Sequence, residues 1–173
     1  MLPFISEINY LKHREAEQRD ALRLSVLEKQ LPAIRGRSAT EIARLRKLGS
    51  EGAMIAELKA SLELHRVYFA SFSERKNTPS NAIKHSFGSE AALLNEMYTA
   101  SMRSRFGFCA LVGANSGLKV CASENALDIL LRGEPLLAVD LCEHVYYGDW
   151  GFDKEAYLRA ALPHLWLDKI SAP

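Results

Sequence analysis

Over residues 6–31 the chain is rich in charge, free of Pro and Gly, and carries Ile8, Leu11, Ala16, Leu22, Val26 and Leu27 near a helical period. This predicts a long helix, N-capped by Ser6 and ended at Gln30-Leu31-Pro32. Arg35-Gly36-Arg37 reads as a turn. Ser38, with Glu41 three residues on, reads as the capping box of a short helix. Gly49-Ser50-Glu51-Gly52 is expected to break the chain before a second long helix over residues 53–72, with Ile55, Leu58, Leu62, His65 and Phe69 on one face. Two long helices joined by about twenty residues predict an antiparallel hairpin.

Residues 73–80 (S-E-R-K-N-T-P-S) are polar and read as a linker. The period then changes. Short helices are expected over residues 81–87 and 89–102, the latter capped by Ser89. Residues 106–112 (F-G-F-C-A-L-V) read as a strand, 113–117 as a hairpin turn and 118–122 as the returning strand. Residues 136–140 read as a third strand, and 154–162 as a last helix stopped by Pro163. The expected fold class is α+β: an N-terminal antiparallel helical hairpin domain over residues 1–76, then a C-terminal domain over 77–173 with helices on a small three-stranded antiparallel sheet.

Composition adds limits. The 173 residues are 48% hydrophobic and 25% charged, with a formal net charge of +1, which argues against nucleic-acid binding by bulk electrostatics. No apolar run has membrane-spanning length, and the first residues lack the basic and apolar regions of a secretory signal. Cys109, Cys121 and Cys142 are odd in number, sit in or beside apolar segments and form no zinc pattern. They read as reduced core thiols in a cytoplasm-like compartment.

The chemistry concentrates at residues 139–147, V-D-L-C-E-H-V-Y-Y. Asp140 leaves an apolar strand and His144 follows four residues later, so a carboxylate and an imidazole stand side by side. His65 lies mid-helix. Two His and one carboxylate suit iron or manganese. The plainer readings are a core histidine at His65, and at Asp140 and His144 a helix-capping carboxylate beside a surface imidazole.

The stretch D-L-C-E-H-V-Y-Y resembles the D-x-W-E-H-A-Y-Y signature of the iron/manganese superoxide dismutases, with Cys142 in place of Trp. L-H-R-V-Y-F at residues 64–69 is similar to that family's N-H-T-F-Y-W. Residues 106–122 resemble its G-S-G-W-x-W-L-V hairpin, and A-Y-L-R-A at 156–160 its end helix. The resemblance implies one iron or manganese per chain, held by His65, Asp140 and His144. Glu143 and Tyr147 would stand at a homodimer interface, and Tyr68, Phe69, Phe108 and Cys142 around the metal. The family's remaining ligand is a His on the first helix. Ungapped alignment puts Leu11 there. A two-residue shift puts His13 there, and is favoured because it would leave Leu22 facing inward.

The surroundings depart from the pattern. A Gln that the family supplies from one of two places falls on Ser61 and Ala126, and a gateway Tyr on Arg19 or Ala21. Three Trp become Phe69, Phe108 and Cys142. Such outer groups tune a metal's potential. The resemblance implies superoxide as substrate, with Arg19 and Arg66 as candidate steering cations. Two alternatives stand beside it. One is a non-haem iron oxygenase-like site with His13 apart, taking a small organic molecule. The other is a non-catalytic dimeric scaffold.

Overall fold

The computed structural model describes residues 2–74, 80–115 and 117–170. The core of the expected linker, residues 75–79, lies outside them. Helix α1 (Glu7–Gln30) begins where Ser6 accepts a hydrogen bond from the Asn9 amide, and α2 (Ala39–Ala43) opens on the full Ser38–Glu41 capping box. Helix α3 (Gly49–Phe69) starts earlier than its glycines suggest. Gly52 continues the helix because its bare Cα lets the turn close on Leu48, whose Cβ would stand 2.6 Å from an added Cβ. At the other end the helix stops at Phe69, and Phe72 instead bridges to Leu165.

Helices α1 and α3 run antiparallel. His13 near the start of α1 meets His65 near the end of α3, while Glu28 near the end of α1 pairs with Lys59 at 2.9 Å. The apolar stripe expected of α1 is largely a surface stripe. Ile8, Leu11, Leu22 and Val26 are exposed, and the buried residues are the polar Asn9 and His13. The inward placement of Leu22, on which the first-helix alignment leaned, is therefore wrong. Asn9 is buried because the helix Glu143–Trp150 approaches it through Gly148, where any Cβ would collide with the Asn9 amide.

The second half holds α4 (Asn81–Phe87), α5 (Glu90–Arg103), β1 (Phe108–Ala114), β2 (Gly117–Ser123), α6 (Ala126–Leu130), β3 (Glu134–Asp140), α7 (Glu143–Trp150) and α8 (Lys154–Ala161). The sheet has order β2-β1-β3 and is antiparallel throughout. The hairpin turn is tighter than expected, since Ala114 already pairs with Gly117. The fold class is thus α+β, with a helical hairpin before helices on a three-stranded antiparallel sheet. Leu64 and Tyr68 of α3 bury into the same apolar cluster as Cys109, Leu111, Leu137 and Val139 of the sheet. This is why α3 is buried over a wide face: it packs on α1 and on β3 together.

The short helix α6 was not expected from the pattern. Its first amides, Ala126 and Leu127, donate to the two carboxylate oxygens of Glu57 on α3, at 2.7 and 2.9 Å. A charged group satisfying two orphan helix N–H groups stabilises by about 1.5–3 kcal/mol. Glu57→Ala is expected to lower the unfolding free energy by about 2 kcal/mol in urea denaturation, and Glu57→Gln by about half of that. An unchanged urea midpoint for Glu57→Ala would show that α6 does not depend on this tether.

Candidate metal centre

Four elements deliver one side chain each to the junction of the hairpin and the sheet. Asp140 is the last residue of β3 and pairs with Phe108 of β1, so the carboxylate emerges at the sheet end against α3. Gly107 shapes this corner. Its positive φ of 87° and its approach to the Ser123 carbonyl admit no side chain, and its own carbonyl accepts the Leu141 amide at 2.8 Å. Asp140 Oδ1 accepts the Cys142 amide at 2.8 Å, which fixes the start of α7 and leaves Oδ2 pointing elsewhere. His144 is the second residue of α7, four positions beyond Asp140.

Oδ2 lies 3.2 Å from His13 Nε2, 3.3 Å from His65 Nε2 and 3.9 Å from His144 Nε2. All four donor atoms fall within 4.8 Å of one another. The His13 and His65 rings meet edge to face at 5.0 Å. Asp140 Oδ2 and His13 Nε2 are buried and have no hydrogen-bond partner among the described residues. Their 3.2 Å approach thus lacks hydrogen-bond geometry, and burying such atoms without a partner is costly. Three imidazole nitrogens and one carboxylate oxygen form a donor set that suits iron or manganese, and the orphaned atoms fit an ion between them.

The electrostatics agree. Burial alone would raise the Asp140 carboxyl, yet the His13 and His65 imidazoles outweigh it and hold the group well below the usual carboxylate range. Burial opposes charge on His65, but Asp140, the Ser61 carbonyl and Glu17 together raise its pKa. Burial lowers His144; Asp140 opposes this, and His13 and His65 reinforce it. His65 Nδ1 lies 2.8 Å from the Ser61 carbonyl. A carbonyl only accepts, so Nδ1 carries the proton and Nε2 presents its lone pair to the cluster.

Three aromatic residues pack on the imidazoles. Phe69 packs on His13 at 4.9 Å, Tyr68 on His13 at 5.2 Å, and Phe108 on His65 at 5.1 Å. Cys142, half-buried, lines a cavity of about 590 Å³ that opens onto His65 and His144. Glu17, Arg19, Asp20 and Ser61 line it as well. Ser61 and Ala126 offer no long amide: Ser61 serves His65 through its carbonyl, and Ala126 is held by Glu57. Arg66 is not at this cavity; it lines a separate groove with Lys169. Glu143 and Tyr147 are exposed on α7, with Tyr147 stacked edge-on against Phe152 at 4.9 Å. His13, not Leu11, enters the cluster, and Leu11 is exposed. An open two-His, one-carboxylate site with His13 apart therefore has no basis in this geometry. Sequence reading missed Glu17, although its spacing of four from His13 puts it on the same helix face.

A helical hairpin clamped on a small antiparallel sheet, with three His and one Asp gathered at the junction, defines the architectural class. The family described as iron/manganese superoxide dismutases, C-terminal domain, matches residues 75–172. That covers more than half of the chain, which belongs to the iron/manganese superoxide dismutase family. A superoxide dismutase [Fe] of Leptolyngbya boryana is 32% identical over 120 residues, covering 69% of this chain and 50% of that protein. The chain thus spans about half the length of this curated relative. The family match includes Asp140 and His144, whereas His13 and His65 precede it and rest on the geometry.

Proposed function

We propose that this chain binds one iron or manganese ion through His13, His65, Asp140 and His144 and acts as a superoxide dismutase. The observation that carries the reading is the convergence of four donor atoms within 4.8 Å, two of them buried without a hydrogen-bond partner. The chemistry such an ion supplies is one-electron transfer, by which two superoxide anions and two protons give dioxygen and hydrogen peroxide. Asp140 contributes the one negative charge among the donors. Ser61 fixes the tautomer of His65, and the Phe69 and Phe108 rings pack on His13 and His65 and hold their orientation. Arg19 at the cavity mouth supplies positive charge for an incoming anion.

The half-exposed His144 (48%) and the neighbouring Glu143 and Tyr147 support a homodimer built over α7. No helix of the described residues is long and apolar enough to cross a membrane. The three unpaired cysteines suit a reducing, cytoplasmic compartment.

The test is metal content by elemental mass spectrometry after expression with iron and manganese, followed by a dismutation assay. The expected result is near one ion per chain, with dismutation above that of the free ion. A folded protein that takes up neither metal would leave the scaffold reading standing. A loaded protein without dismutation would keep the metal site and remove the activity.

A further inference from the structure

We propose that Glu17, clamped by Arg14, is an outer carboxylate that sets the charge balance of this site, favouring a trivalent over a divalent ion and disfavouring anions in the cavity. The inference rests on reading the four donors as a metal site. Glu17 stands one helical turn beyond His13 and lines the cavity together with His65, His144 and Ser61. Its Oε2 accepts from Arg14 Nη1 at 2.7 Å, and the Arg14 guanidinium lies over the Phe69 ring at 4.6 Å. The clamp is thereby anchored to a residue that itself packs on His13.

Exposure decides which charge of the pair acts on the site. The Glu17 side chain is 11% exposed and that of Arg14 38%. A shielded charge keeps its field, whereas an exposed one is screened by water and salt. Glu17 shares the cavity wall with His65 and His144, so its charge faces the donors. A fixed negative charge stabilises an ion in proportion to the ion's own charge, so it favours the higher oxidation state. Glu15 makes the natural control: it carries the same charge at the same cavity mouth but is exposed.

The test loads wild type, Glu17→Gln and Glu15→Gln with iron. Midpoint potentials are read by mediated titration, and azide affinity for the oxidised form by absorption. Glu17→Gln is expected to change the ratio of ferric to ferrous affinity at least tenfold, an upward shift of about 59 mV or more for one electron. Azide should bind at least threefold more tightly, and Glu15→Gln should move either readout by less than a third as much. Glu17→Asp, which keeps the charge on a shorter arm, should shift the potential less than Glu17→Gln, and gives the comparison with Glu15→Gln if the amide variant does not fold. Equal shifts at positions 15 and 17, or none at 17, overturn the proposal. A wild type that takes up no iron overturns the metal reading with it; a loaded wild type indifferent to Glu17 overturns the proposal alone.

Discussion

Asp140→Asn abolishes metal uptake while leaving a folded protein; Asp140→Ala abolishes uptake and destabilises the metal-free protein as well. Oδ2 lies within 4 Å of all three imidazole Nε2 atoms. Asn keeps an oxygen for the Cys142 amide at the start of α7, which is the bond Oδ1 makes. It cannot offer a second, anionic oxygen to the cluster, so metal content should fall at least tenfold. Ala removes both oxygens. It orphans the Cys142 amide and takes the buried counter-charge away from His13 and His65, a change that costs about 3–5 kcal/mol. Against a typical total of about 5–15 kcal/mol this is a large fraction.

The pH profile of the metal-free protein separates the two roles of Asp140. Its folded pKa is depressed below the ordinary 3.8, so its contribution is present above that value and lost as pH falls below it. His65 has the opposite sign. Its pKa is raised above 6.5, so its contribution is present below 6.5 and lost as pH rises through the folded value. Asp140→Asn should therefore flatten the acid limb of the stability curve and remove the His65 contribution near neutrality. Urea denaturation across pH and elemental analysis check both. Stoichiometric metal in Asp140→Asn would sink the donor assignment.

Much of this site was legible because its signals are local. The apolar run before Asp140 and the spacing of four to His144 place two donors without knowledge of the fold, and His65 falls on the predicted apolar face of α3. His13 was not legible in that way. Its neighbours Lys12, Arg14 and Glu15 look solvated, and Ile8, Leu11, Leu22 and Val26 of α1 face outward. A helix that buries Asn9 and His13 breaks the amphipathic rule, because what it packs against is a set of donors and the glycine face of α7. Helix α6 was missed for a different reason. Five residues carry no period, and its amides are satisfied by Glu57, nearly seventy positions earlier. The Gly49–Gly52 stretch misled because Gly52 serves a close contact with Leu48, and sequence alone does not distinguish that from a break.

Loading the protein with manganese or iron is expected to raise its thermal midpoint by about 10 °C, and a chelator should return it to the metal-free value. The four donors belong to α1, α3, β3 and α7, spanning positions 13 to 144, so an unfolded chain does not reassemble them. An ion that binds only the folded state stabilises it by about 4 kcal/mol at a thousandfold excess over its Kd. For a domain of this size each kcal/mol moves the midpoint by about 2–4 °C. The effect should be concentrated in α1. That helix exposes Ile8, Leu11, Leu22 and Val26 and buries no apolar residue of its own beyond partial contacts. Its hold on the fold comes from Asn9, from the Lys59–Glu28 pair, from His13 and from the half-buried Tyr10, Leu24 and Leu27. Hydrogen exchange should accordingly slow most in α1 on loading, and least in the β1–β2 hairpin, which is already paired along its length. His144→Ala provides the matching contrast. Its ring is half exposed, so the metal-free protein should keep its stability within about 1 kcal/mol, while the metal-induced rise disappears. A wild-type protein whose midpoint and α1 exchange ignore both metals would refute the ion as the partner of these orphaned donors.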